Sequence, residues 1–266
     1  MKWIPIVFVL LATSYSAAAQ ELINQTDKNG KKQGTWVKTY ENGQERYRGQ
    51  FLNDIPVGTF FYYDEDGNKT LELTYLNEDG EKAKAQFFHL NGTVMGQGMY
   101  RNKMKNGTWK YFDDQSVLSS EDEYMSGKLH GVSKVYFLNG RVAAEIPYAE
   151  GLKNGDFIEY FPDGTVNLKG TYQDNTYTGA YVQNYPSGEP MVTGQYKAAV
   201  KDGKWLYYAE DGHIKAQQYY EQGKLIKEKV EEGFEPESVP IEIEEKDKID
   251  EQELIDEFYK SQEMHR

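Results

Sequence analysis

The sequence predicts an all-β protein, an elongated antiparallel sheet of stacked β-hairpin repeats of about 24 residues each, with a short C-terminal helical tail. Three observations predict it. A turn residue recurs at Gly43, Gly67, Gly92, Ser116, Gly140, Gly164, Gly188 and Gly212, always 24 residues apart except for one spacing of 25. An aromatic residue stands eight positions after every one of them. The residues between alternate apolar and polar with a period of two, the signature of a half-buried strand.

The elements follow in chain order. Lys2 precedes an apolar run, Trp3 to Ala12, and then Ala17-x-Ala19. This reads as a signal peptide over residues 1–19, because the run is too short for the roughly 20 residues a membrane-spanning helix needs. No cysteine lies near the site, which excludes a lipid-anchored lipoprotein. Residues 20–33 are polar, with a turn at Asn29-Gly30, and form a leader or an irregular first strand. The repeats occupy residues 34–227.

Within them, the position seven before each turn is Trp36, Phe60, Ala85, Trp109, Ser133, Phe157, Tyr181 and Trp205. The position eight after it is Phe51, Tyr75, Tyr100, Tyr124, Tyr148, Tyr172, Tyr196 and Tyr220. The aromatic members of these two columns are the expected repeat core, since rings bury large areas against one another. Asn-Gly and Asp-Gly turns accept positive φ and signal hairpins. Gly49, Gly98, Gly170 and Gly194, two positions before the second column, leave room for a neighbouring ring to lie on the backbone. The extra residue near Asn77 to Lys82 predicts a bulge or longer loop there. Eight hairpins at about 4.8 Å per strand would span roughly 75 Å before twist and curvature.

Residues 228–266 break the pattern. They hold fifteen acids and five bases, which leaves −3 of the total charge of −13 for residues 1–227. Glu231 to Lys248, with Pro236 and Pro240, reads as an extended acidic linker. Asp247 or Asp250 caps an expected helix through Met264, with Leu254, Ile255, Phe258 and Tyr259 as its apolar stripe.

Charge and composition narrow the function. Neither region offers a basic footprint for phosphates, so no nucleic-acid partner is expected. The chain contains no cysteine, which removes thiol nucleophiles, thiolate metal sites and disulfides. His89, His130, His213 and His265 stand at unrelated repeat positions without ligand spacing. Asp66, Asp163 and Asp211 are explained by turn geometry rather than by calcium binding. No phosphate loop and no nucleophile beside a base is visible, and repetition works against the single constellation that catalysis needs. No catalytic, cofactor-binding or metal-binding residue is therefore expected.

The unit Gly107-Thr108-Trp109-Lys110-Tyr111-Phe112, repeated at Gly203-Lys204-Trp205-Leu206-Tyr207-Tyr208, resembles the MORN-repeat-variant family of bacteria over about Gly34 to Lys227. The resemblance implies an elongated sheet of stacked hairpins. Some members are labelled antitoxins of toxin–antitoxin pairs, a role that an exported protein would meet only against a partner outside the cytoplasm. Choline-binding repeats of cell-wall proteins are similar in Trp-Tyr-Tyr but have a period nearer twenty.

A thin sheet cannot bury both faces, so some tyrosines should be exposed; tyrosine outnumbers phenylalanine 22 to 12. Tyr62, Tyr111, Tyr136, Tyr160 and Tyr207 are the candidate binding face, since tyrosine suits wet interfaces. The expected function is an exported, non-enzymatic repeat protein that binds another protein in the cell envelope. A cell-wall glycan module and an antitoxin-like immunity protein are the alternatives.

Overall fold

The computed structural model describes residues 22–236. The signal peptide and the C-terminal helix expected from the sequence lie outside the described residues. Within them the chain is all-β: twenty strands in one antiparallel sheet, with no helix. Strands pair in chain order, from Lys32–Thr39 with Glu45–Leu52 through to Ile214–Glu221 with Lys224–Val230. The short Lys128–Leu129 and Leu152–Lys153 pair with the strand before them, as do Gly131–Tyr136 and Gly155–Tyr160 that continue them. Every pairing is thus local in sequence, as a stack of hairpins requires.

Each of the eight turn positions closes a hairpin through a backbone bond such as Gly43 N to Tyr40 O (3.0 Å) and Gly212 N to Ala209 O (2.9 Å). The turn chemistry differs from an Asn-Gly turn with two residues at positive φ. Only the glycine takes positive φ, 86° at Gly43 and 90° at Gly212. The loop is therefore the three-residue type, a type I turn followed by a left-handed residue that bulges the returning strand. The register shifts once more in every hairpin three residues after the turn, where the returning strand leaves one residue unpaired, such as Thr70 opposite Tyr62 and Tyr63 and Lys215 opposite Tyr207 and Tyr208. The preceding Asn or Asp works through its side chain: Asn42 Oδ1 accepts from Gln44 N (2.9 Å) and Asp163 Oδ1 from Thr165 N (2.8 Å). Ser116 holds φ at 66° without glycine's freedom. There Asp113 Oδ1 accepts from both Gln115 N and Val117 N.

The opposite edge carries two-residue turns in which both residues take positive φ. They include Asn53-Asp54, Asn102-Lys103, Asp174-Asn175 and Ala198-Ala199. The extra residue of the long spacing sits in the one longer connection of this edge, residues 76–81. It is closed by Lys82 N to Asn77 Oδ1 (2.9 Å) and Leu76 N to Lys82 O (2.9 Å).

Cross-strand pairing puts the two aromatic columns on one face, called here the ring face. Phe60, Trp109, Phe157, Tyr181 and Trp205 are among its most buried side chains. The glycines explain how. A Cβ at Gly49 would lie 2.2 Å from Phe60, at Gly98 2.3 Å from Trp109, and at Gly194 2.2 Å from Trp205. At each of these glycines the ladder to the next hairpin skips a residue. The ring of one hairpin therefore lies on the bare backbone of the hairpin before it. The freed carbonyl beside the glycine accepts the indole: Trp109 Nε1 donates to Met99 O and Trp205 Nε1 to Gln195 O, both at 3.2 Å.

Where the ring is absent, the glycine is absent too. Ala85 meets Leu73 in unbroken register. Ser133 meets Asp122, donating to its Oδ1 at 2.7 Å in a buried contact. Ile146 is the exception, and there Phe157 turns back onto Gly170 of its own hairpin, where a Cβ would lie 2.6 Å away. The buried side chains form two separate cores, one from Tyr47 to Trp109 and one from Phe157 to Ala216. The Asp122–Ser133 pair lies between them.

The first edge of the sheet is covered by the leader: Gln25–Thr26 pairs with the first long strand, and Asn24 Oδ1 accepts from Val37 N (2.8 Å).

Candidate binding face

The five candidate tyrosines divide between the two faces of the sheet. Tyr62, Tyr111 and Tyr207 stand five residues before their turns. They lie on the ring face, on one cross-strand row that passes through Leu71, Phe87 and Ala216. Tyr62 and Tyr207 are buried and Tyr111 half-buried. Tyr136 and Tyr160 stand four residues before theirs, so strand alternation turns them to the other face, where they bond to its groups. The five are expected from the sequence to share one face; alternation along the strand divides them.

The outer face carries an ionic ladder in the middle repeats. Lys110 meets Glu121 at 2.6 Å and Lys134 meets Glu145 at 3.6 Å, across neighbouring strands. Tyr136 Oη donates to Glu121 Oε2 (2.9 Å) and Tyr160 Oη to Glu145 Oε2 (3.4 Å). Burial, followed by the Glu121 carboxylate, pushes the Tyr136 phenol up to about 12. Tyr160 is raised by burial and Glu145. The Lys110 ammonium, bonded to Glu121, holds that carboxyl below its ordinary range.

The ring face is finished by a lysine column. Lys32, Lys105, Lys153 and Lys201 stand eleven residues before their turns. Lys105 Nζ lies 4.5 Å from the Trp109 ring and donates to Tyr111 Oη at 3.0 Å. Lys201 Nζ repeats this on Trp205 (4.4 Å) and Tyr207 Oη (2.9 Å). Lys32 lies over Trp36 and Phe51, and Lys153 over Tyr172. Each ammonium is attracted by the negative ring face while its stem covers apolar surface. Burial lowers Lys201 and Lys32 from the ordinary lysine value. This column was missed in the sequence, although its constant offset from the turn was a usable signal.

A second group was also missed. In the sixth and seventh repeats the position five before the turn is Glu159 and Gln183, not an aromatic. Glu159 shares the ring-face row with Ala144 and Leu168. Burial raises its carboxyl, with Lys153 opposing. Tyr177 and Tyr181 beside it are raised by burial as well.

Along the edge of the two-residue turns runs a row of exposed apolar side chains: Leu52, Ile55, Met104, Met125, Leu152 and Val200. No group of three or more metal-ligating side chains occurs among the described residues. His89 serves structure, its Nε2 bonding the carbonyl of Phe112 in the next hairpin (3.0 Å). Tyr40 and Tyr185 occupy the same place three before the turn, donating to Tyr63 O (2.8 Å) and Tyr208 O (2.7 Å).

A family described as MORN repeat variant matches four segments of this chain, residues 56–77, 129–150, 153–174 and 201–222. No curated protein matches. Among solved structures, one of TarM is 10% identical with a TM-score of 0.22, over 44% of this chain and 20% of that one. A mutant of S. aureus TarM in complex with fondaparinux, alpha-GlcNAc-glycerol and UDP is 8% identical with a TM-score of 0.23, over 48% of this chain and 20% of that one. The TcdB2-TccC3-Cdc42 structure is 10% identical with a TM-score of 0.18, over 69% of this chain and 13% of that one. The chain thus spans about a fifth or less of the length of these structures, and likeness at such scores carries no argument.

Proposed function

We propose that this chain is an exported, non-enzymatic repeat protein that presents an extended surface to another protein in the cell envelope. The observation that carries the reading is the single layer. No second sheet or helix packs on the hairpin array among the described residues. Each repeat therefore offers the same positions to the outside, as stacked-repeat proteins do along their binding surfaces. The row Leu52, Ile55, Met104, Met125, Leu152 and Val200 supplies exposed apolar contact area, with methionine among the residue types enriched at protein interfaces. The signal peptide that the sequence predicts over residues 1–19 is what supports export.

The cell-wall glycan reading is weaker on geometry. Sugars stack on open ring faces, whereas Trp109 and Trp205 have glycine backbone on one side and lysine ammonium close to the ring. The antitoxin-like reading stays an alternative that inspection of the flanking genes addresses.

Affinity capture from envelope extract tests the proposal. The parent chain should enrich a defined protein, and a variant with Met104→Glu and Leu152→Glu should lose it while keeping its circular dichroism. Retention on peptidoglycan without any enriched protein would replace this reading by the glycan one.

A further inference from the structure

We propose that the acidic C-terminal tail, residues 237–266, lies across the ring face of the last three repeats rather than along the free edge of the sheet. The last strand, Lys224–Val230, pairs on one side only, and six of its seven residues are exposed. A cap would be expected to pair there. The chain leaves in the other direction. Glu231 N still bonds to Lys215 O (2.8 Å), and a turn closed by Phe234 N to Glu231 O (3.1 Å) follows. Phe234 then folds inward over the ring face, 6.2 Å from Tyr207, with Lys215 Nζ 5.3 Å from its ring. Tyr207 stands two strands in from the edge, so the path already runs back over the sheet.

The surface ahead suits the segment that follows. Half-buried Tyr172, Tyr177, Tyr196 and Tyr220 offer apolar area, and Lys153 and Lys201 offer positive charge. The tail brings Val239, Ile241 and Ile243 alternating with Pro240, Glu242 and Glu244. From the strand of Tyr207 to that of Lys153 is four strand spacings, about 19 Å, which roughly six extended residues cover. That sets Val239 to Ile243 over the lysines. The free edge is the competing site, since Lys224, Lys227 and Lys229 also attract acids. Only the ring face, however, agrees with the direction of Phe234. The docking does not depend on which partner the rest of the surface binds.

Zero-length carboxylate–amine cross-linking of the full chain, read by mass spectrometry, tests it. An equimolar mixture of isotope-labelled and unlabelled chain separates contacts within a chain from contacts between chains. The expected result is intrachain links from Glu242, Glu244 or Glu245 to Lys153, Lys201 or Lys215. They should be weakened in about 1 M salt, where screening falls to roughly 3 Å, and reduced in Phe234→Ala. A second variant, Glu242→Gln with Glu244→Gln and Glu245→Gln, should show faster acylation of Lys201 than the parent. It leaves the hairpin array untouched and so covers the case in which Phe234→Ala unfolds the last repeat. Links dominated by Lys224, Lys227 and Lys229 would overturn the proposal in favour of an edge cap. Links between labelled and unlabelled chains would overturn it in favour of a second copy, and an absence of tail links would also overturn it.

Discussion

A methyl group at Gly98 would sit 2.3 Å from the Trp109 ring, so Gly98→Ala forces either the indole or the backbone to move. Overpacking of this kind costs about 2 kcal/mol, and Trp109→Ala costs about 3–5 kcal/mol. The protein itself shows the compensated version in Leu73 facing Ala85. Combining Gly98→Leu with Trp109→Ala should therefore cost at least about 1 kcal/mol less than the sum of the single changes, as urea denaturation would measure. An additive cycle would mean that ring and glycine do not share the space. Glu159 makes a different kind of test. Burial raises its carboxyl in the folded chain. The stability it lends is fully present below the unfolded value, near pH 4, and is lost as pH rises through the folded value. Glu159→Gln should raise the urea midpoint at pH 7 and give no such gain near pH 4.

Within single hairpins and their joins, backbone conformation decides. Ala198 and Ala199 hold φ at 50° and 66° in a two-residue turn, whereas each of the other such turns has at least one asparagine, aspartate or glycine at positive φ. A left-handed alanine costs roughly 1–2 kcal/mol. Replacing the pair by Asn-Gly should stabilise the chain by about 1 kcal/mol, seen as a higher thermal midpoint without change in circular dichroism. The Asp122–Ser133 join is held by a buried hydrogen bond instead of a ring on a glycine. Ser133→Ala withdraws a donor from a buried carboxylate and should cost about 1–3 kcal/mol. Asp122→Leu with Ser133→Ala copies the Leu73–Ala85 pair. It should return to within about 1 kcal/mol of the parent, because both polar groups leave together. Equal losses in the single and double variants would sink this account.

For the molecule as a whole, that polar join lies between two cores. The pairing is also interrupted in this stretch: Leu118–Met125 meets Lys128–Leu129 and Gly131–Tyr136 at two positions each, and Val142–Ala149 meets Leu152–Lys153 and Gly155–Tyr160 in the same way. In a stack whose contacts are all between neighbours, stability is a sum of local terms, and a weak interface divides the array. Native-state hydrogen exchange should give two opening free energies, one for strands up to Phe112 and one for strands from Gly155 onward. The Asp122→Leu, Ser133→Ala chain should bring them together. A single opening energy across the parent would remove the division.

The sequence by itself determined what is periodic. The 24-residue spacing fixed the hairpins, the aromatic columns fixed which positions meet, and Gly98 or Gly194 announced a ring approaching the backbone. These are legible because a repeat states the same local rule many times. The tertiary structure decided what depends on the join between hairpins. Tyr207 stands five residues before its turn and Tyr160 four, so alternation along the strand sets them on opposite faces, and the packing of neighbouring hairpins decides that the face of Tyr207 is the one that buries rings. Lysines eleven residues before the turn are drawn onto rings of their own hairpin, as Lys105 is onto Trp109 and Tyr124 and Lys201 onto Trp205 and Tyr220, and a buried polar pair stands between the two cores. Such features arise from contacts between strands that spacing along one strand does not encode.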